Sequence, residues 1–133
     1  MLIINAVVFM PDGTLAQDRF VRITGSRISA VGPMQALDVL EEPVLDAAGA
    51  TVYPGFIDAH THLGMFEDGL GFEGDDGNED TDPCTPHLRA IDAVNPLDRC
   101  FQEAREAGIT SVLTGPGSAN PIGGQFAAIK TVG

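Results

Sequence analysis

Two histidines one residue apart, His60 and His62, are the side chains best suited to chemistry in this sequence. They close the run Phe56-Ile57-Asp58-Ala59-His60-Thr61-His62, which follows a Pro54-Gly55 turn. In an extended strand, side chains alternate between faces. Phe56, Asp58, His60 and His62 then share one face, and Ile57, Ala59 and Thr61 share the other. Two imidazoles on one face can reach the same metal ion. Asp58, beside them, can enter the site or orient a ligand through a hydrogen bond. Taken alone, a bare H-x-H more often means two surface histidines at a strand end.

The elements that must position this pair are readable on both sides of it. Residues 2 to 9 are a β-branched run ended by Pro11-Asp12-Gly13, which predicts a strand. Residues 19 to 24 alternate, with Val21 and Ile23 on one face and Arg22 and Thr24 on the other. Gly25-Ser26 reads as a two-residue hairpin loop, and Arg27 to Val31 returns with Ile28 and Ala30 on one face. Gly32-Pro33 stops it. Residues 2 to 32 are expected to form a small antiparallel β unit. Residues 34 to 41 place Met34, Leu37 and Leu40 on one helical stripe, ended by Pro43. Val44 to Asp46 and Ala50 to Tyr53 read as short extended pieces around an Ala47-Ala48-Gly49 turn.

After the histidines, residues 63 to 95 show no clear periodicity. Eight acids fall between Glu67 and Asp82, Asp68 among them. A solvated acidic loop is the plain reading, and the ligand spacing of an EF-hand is missing. His87, in Pro83-Cys84-Thr85-Pro86-His87, is a candidate substrate contact or extra ligand, although a lone loop histidine is more often neither. Residues 96 to 107 predict a helix. Asn95 is the N-cap, Pro96 the first helical position, and Asp98 sits in the first turn. Leu97, Cys100, Phe101, Ala104 and Ala107 form its buried stripe, and Gly108 lies at C′. Ile109 to Thr114 reads as a strand stopped by Gly115-Pro116-Gly117. Strand, loop, helix and strand make a βαβ unit with parallel strands. The loop Gly115 to Gln125 then lies on the same end as the histidines, with Asn120 and Gln125 as candidate substrate contacts. Turn chemistry alone would also account for Asn120.

Composition limits what such a site can serve. The chain has 133 residues, 44% of them hydrophobic and 20% charged, enough for a packed core. A formal net charge of −12, with only 7 Lys and Arg, argues against nucleic acid and against an anionic membrane surface. The apolar run Leu2 to Met10 has no basic flank or cleavage site, so neither a signal peptide nor a membrane span is expected. Cys84 and Cys100 form no C-x-x-C pair and suit a reducing compartment. A cytoplasmic protein is expected.

The stretch Pro54-Gly55-Phe56-Ile57-Asp58-x-His60-x-His62 has Asp46 and Gly49 upstream in a D-x-x-G-x-x-V-x-P-G pattern. It resembles the approach to the first barrel strand of the amidohydrolase superfamily. The hairpin followed by R-I-x-x-V-G is also similar to that family's N-terminal strands. The resemblance implies an α/β fold: the start of a (β/α)8 barrel preceded by part of a small β-sandwich. Residues 1–54 would be the sandwich segment and 55–133 the first βαβ portion of the barrel. Such a barrel needs roughly 200 residues or more, so the chain is expected to be the N-terminal portion of a longer protein. Ala127 to Gly133 then reads as a strand interrupted.

For chemistry, the resemblance implies metal-assisted hydrolysis of an amide, cyclic amide or other C–N bond by a metal-activated water. The metal is expected to be divalent, zinc best of all, as one ion or two, with His60 and His62 as ligands and Asp58 behind them. A zinc site needs three or four protein ligands. In the family the others, and the aspartate base, come from later strands. Lys130 comes too early to be the family's bridging lysine. No catalytic base is expected within these residues, and the segment alone is expected to be inactive. Leu63 and Gly64 replace the H-x-H-x-R arginine of members acting on dihydroorotate-like rings. With Asn120-Pro-Ile-Gly-Gly-Gln125, the sequence looks closer to imidazolonepropionase-like members. The implied partners are a small-molecule substrate and further copies of the full-length protein. The alternative is a non-catalytic binding domain whose acidic loop takes a partner or a cation.

Overall fold

The computed structural model describes residues 1–38, 41–67 and 70–132. It divides into two compact units, Met1–Pro54 and Gly55–Gly133.

The first unit is a five-stranded sheet built on β1 (Leu2–Phe9). β2 (Leu15–Thr24) pairs antiparallel with β1, and β3 (Arg27–Pro33) pairs antiparallel with β2. The Gly25-Ser26 hairpin between them forms as expected, with Gly25 at φ +60°. The sheet is not purely antiparallel, however. β4 (Val44–Asp46) and β5 (Thr51–Val52) both run parallel to β1, pairing Leu2 with Val44 and Val7 with Thr51. The Ala47-Ala48-Gly49 turn does not reverse the chain. It steps around a bend in β1 at Asn5, where Asn5, Ala48 and Gly49 all adopt positive φ. Ala47 N–H donates to Ile4, Gly49 N–H to Asn5 and Val7 N–H to Ala50, so backbone pairing continues through the step. The core of this unit is Ala6, Val8 and Val21, with Ile3, Met10, Ile23, Ala47 and Val52 packed on it. The expected helical stripe at 34 to 41 is replaced by a single 3₁₀ turn, Met34–Ala36. Leu40 lies outside the described residues.

The second unit is a three-stranded sheet of order β6-β7-β8. β6 (Phe56–Thr61) stops one residue short of the expected end. The loop after it holds a 3₁₀ turn, Gly71–Gly74, and one short helical turn, α1 (Ala90–Ala93); Asp68 lies outside the described residues. The helix expected over 96 to 107 starts later, as α2 (Cys100–Glu106). The Asn95 side chain caps Leu97 N–H at 3.0 Å and closes a turn of its own, while Asp98 accepts from Cys100 N–H. Leu97 is therefore 92% exposed instead of joining the buried stripe, which reduces to Phe101 and Ala104. β7 (Ile109–Thr114) is parallel to β6, as expected, with Asp58 opposite Val112 and Thr61 opposite Thr114. β8 (Ala127–Lys130) folds back antiparallel on β7 with Thr114 opposite Ala127. Thr131, buried just beyond it, donates through Oγ1 to Ile109 O at 3.0 Å and accepts from Arg105 at its carbonyl, which ties α2 to the sheet. Among the described residues no helix is long and apolar enough to cross a membrane.

Candidate metal centre

The strand alternation read from the sequence brings His60 and His62 together. Their ring centroids are 5.5 Å apart and the rings meet edge to face at 81°. Both stand at the C-terminal end of β6, where β6 and β7 are tied to each other three times. Gly115 N–H donates to Thr61 O at 3.1 Å. The Nδ1 atom of His62 lies 2.6 Å from Gly115 O. Thr114, fully buried, donates through Oγ1 to Leu63 O at 2.9 Å. A carbonyl can only accept, so His62 carries its proton on Nδ1 and leaves the Nε2 lone pair for a ligand. Asp58 lies on the same strand, and its carboxylate accepts from the backbone N–H of His60 at 3.1 Å. It thus braces the strand segment that carries His60.

Two phenylalanines extend the pair into a row of four rings. Phe126 lies 5.4 Å from His60 at 44°, and Phe66 lies 6.1 Å from His62 at 83°. Each phenylalanine rests on a glycine. A methyl group on Gly115 would sit 2.3 Å from Phe126 Cγ, and one on Gly77 would sit 2.3 Å from Phe66 Cζ. Sequence reasoning did not single out these residues, because Gly115-Pro116-Gly117 explains itself as a strand stop. The one available signal was the aromatic residue four positions after His62.

Two imidazole nitrogens suit a divalent ion that accepts nitrogen donors, zinc above all. Among the described residues no three His, Cys, Asp or Glu side chains come together as a ligand group. Two nitrogen donors would supply half of a four-coordinate site.

The other candidates stand apart from the histidine pair. His87 is exposed and lines a pocket of about 340 Å³ with Asp76, Asn78, Glu79, Arg89 and Gly124, among others; neither His60 nor His62 lines it. Asn78 Oδ1 is buried there without a hydrogen-bond partner. The Thr81 hydroxyl and backbone N–H hold the Glu79 carboxyl below its ordinary range. Asn120 and Gln125 spend their amide N–H groups on the long loop. Asn120 Nδ2 donates to Glu79 O at 2.7 Å, and Gln125 Nε2 donates to Pro86 O at 3.1 Å. Backbone bonds add to this: Gly117 N–H to Gly77, Thr85 N–H to Ile122, Gln125 N–H to Leu88 and Ala90 N–H to Gln125. The two loops are thus sewn into one wall at the histidine end of the sheet.

Comparison with known proteins places this geometry among others. No family model matches the chain. The chain is 42% identical over 99 residues to an amidohydrolase of Hapsidospora irregularis, a match covering 73% of the chain and 10% of that relative. It is 37% identical over 97 residues to an N-substituted formamide deformylase of Arthrobacter pascens, covering 71% of the chain and 16% of the relative. A crystal structure of an amidohydrolase from Thermotoga maritima superposes with a TM-score of 0.86 at 40% identity, covering 99% of this chain and 34% of that one. The chain therefore spans a tenth to a third of the length of the proteins it matches.

Proposed function

Because the chain belongs to the amidohydrolase superfamily, matching its N-terminal portion, we propose that it supplies the first two metal-ligand histidines of a metal-dependent hydrolase. In this reading β6 and β7 are the first two strands of a (β/α)8 barrel, and the Met1–Pro54 sheet is part of the accompanying β-sandwich. Parallel pairing of β6 with β7 across α2 supports it, as does the place of the histidines at the strand ends where such barrels carry their sites. The bond cleaved is an amide, a cyclic amide or another C–N bond of a small molecule.

His60 and His62 would hold the ion through their free ring nitrogens. When bound, a divalent ion would supply Lewis-acid polarisation of the scissile carbonyl and lower the pKa of a water toward about 7. The chain's own residues do the positioning. Gly115 O accepts the Nδ1 proton of His62, which fixes the tautomer and the ring plane. Asp58 holds the backbone of His60. The wall formed by the two loops keeps His87 beside the pocket, where it can meet a substrate, and Asn120 and Gln125 serve binding by holding that wall in shape. The remaining ligands and the general base belong to later strands of the full-length protein.

The observation that carries this reading is the edge-to-face pair of imidazoles with one Nδ1 bound to a backbone carbonyl. Elemental analysis of the full-length protein tests it. Near-stoichiometric divalent metal is expected in the wild type, and its loss in the His60→Ala/His62→Ala double variant. Equal metal in both proteins would overturn the reading.

A further inference from the structure

We infer that Phe66 and Phe126 are positioning residues for the histidine pair, each seated against a glycine where a Cβ would meet the ring. The inference rests on the metal-ligand reading of His60 and His62. Both phenylalanines are large apolar groups left partly in water: Phe66 is 43% exposed and Phe126 38%. Core packing therefore does not explain where they sit. Each touches one histidine, Phe126 at 5.4 Å and Phe66 at 6.1 Å. They flank the pair from opposite ends, one from each loop of the wall.

The seats are specific. Gly115 and Gly77 are both buried, and a Cβ on either would overlap the ring it supports. For Gly115 the overlap is with Phe126 Cγ, Cδ1 and Cδ2, at 2.3 to 2.5 Å. Cγ lies on the axis about which the ring turns, so flipping the ring cannot clear it and the whole side chain would have to leave His60. Gly115 therefore acts on both histidines: its carbonyl holds His62, and its missing side chain admits the ring that packs on His60. Gly77 does the same for Phe66, and its carbonyl accepts from Gly117 N–H at 2.7 Å, which links the two seats. Aromatic faces and edges restrict an imidazole to a narrow range of tilts. Each histidine is thus held in plane before any ligand arrives, which removes an ordering cost from binding.

The test is Zn²⁺ affinity of the metal-free full-length protein, measured by competition with a chelator, beside its thermal midpoint. Phe66→Leu and Phe126→Leu should each weaken zinc binding by about tenfold, the scale known for residues that orient metal ligands. The thermal midpoint of the metal-free protein should not move, and Phe126→Tyr, which keeps the ring, should bind zinc like the wild type. Wild-type affinity in both leucine variants, with metal lost in His60→Ala/His62→Ala, would overturn the inference and leave the ligand reading standing. A thermal midpoint that falls in step with affinity, or a tyrosine variant as weak as the leucine one, would overturn it too. Metal retained by the double histidine variant would remove the ligand reading, and this inference with it.

Discussion

The Nδ1 atom of His62 lies 2.6 Å from the carbonyl oxygen of Gly115, fifty-three residues further along the chain. That bond joins the ends of two parallel strands and chooses the histidine's tautomer in one step. A carbonyl cannot donate, so the proton stays on Nδ1. In the metal-free protein at mildly alkaline pH, nitrogen-15 NMR should show His62 with a protonated Nδ1 and a bare Nε2. The opposite tautomer would mean that Gly115 does not hold the ring.

Thr114 supports the same corner from inside. Its side chain is fully buried, and Oγ1 donates to Leu63 O, the residue that follows His62. Thr114→Val keeps the shape and removes the donor, leaving a carbonyl without its partner. A loss of about 1–2 kcal/mol is expected from denaturant unfolding. A loss below about 0.3 kcal/mol would show that Leu63 O is satisfied by water and that this bond does not fix the turn.

Much of this architecture is legible in the sequence, and what escaped did so for physical reasons. β7 ends where expected because Ile109 to Thr114 is bounded by glycines on both sides. The histidine pair meets because the alternation of β6 points His60 to that side, and His62, one residue past the strand, is held there by Gly115 O. Strand direction is different: Val44–Asp46 and Thr51–Val52 have the same periodicity whether they run parallel or antiparallel, and the positive φ values at Asn5 and Ala48 decide it. α2 starts later than expected because Asn95 closes a separate turn on Leu97 N–H and Asp98, expected inside the first turn, accepts from Cys100 N–H. The seating of Phe66 and Phe126 depends on glycines remote in sequence, which no local pattern reveals.

Gly55 illustrates a glycine read as a turn residue that is needed for a close approach. A methyl group there would lie 2.2 Å from Thr110 Cγ2 and 2.3 Å from its Oγ1, with Thr110 Cβ at 2.8 Å. A β-branched side chain cannot rotate away from all three contacts. Gly55→Ala should therefore destabilise the protein by about 1–3 kcal/mol, the range for overpacked sites. Thr110→Ala in the same chain removes the two shortest contacts but keeps Cβ, so it should recover part of that loss, and a double-mutant cycle measures the coupling. Additive losses would show that the strain lies in the backbone.

Asp46 carries the last prediction, on pH. Its Oδ1 accepts from Ala48 N–H at 2.8 Å and from Asn5 Nδ2 at 3.0 Å. The Ala48 bond first, and the Asn5 bond second, hold its carboxyl below the ordinary value of 3.8. The folded state thus prefers the ionised form. The stabilisation is fully present above the unfolded value and is lost as pH falls through the lower folded one. These bonds clamp a turn in which Asn5 and Ala48 both sit at positive φ, a conformation that non-glycine residues adopt at a cost. Asp46→Asn keeps an acceptor oxygen but removes the charge. Its thermal midpoint should lie below that of the wild type near neutral pH, and the gap should narrow as the buffer is acidified past 3.8. A gap that stays constant with pH would show that the carboxylate's charge contributes nothing to this turn.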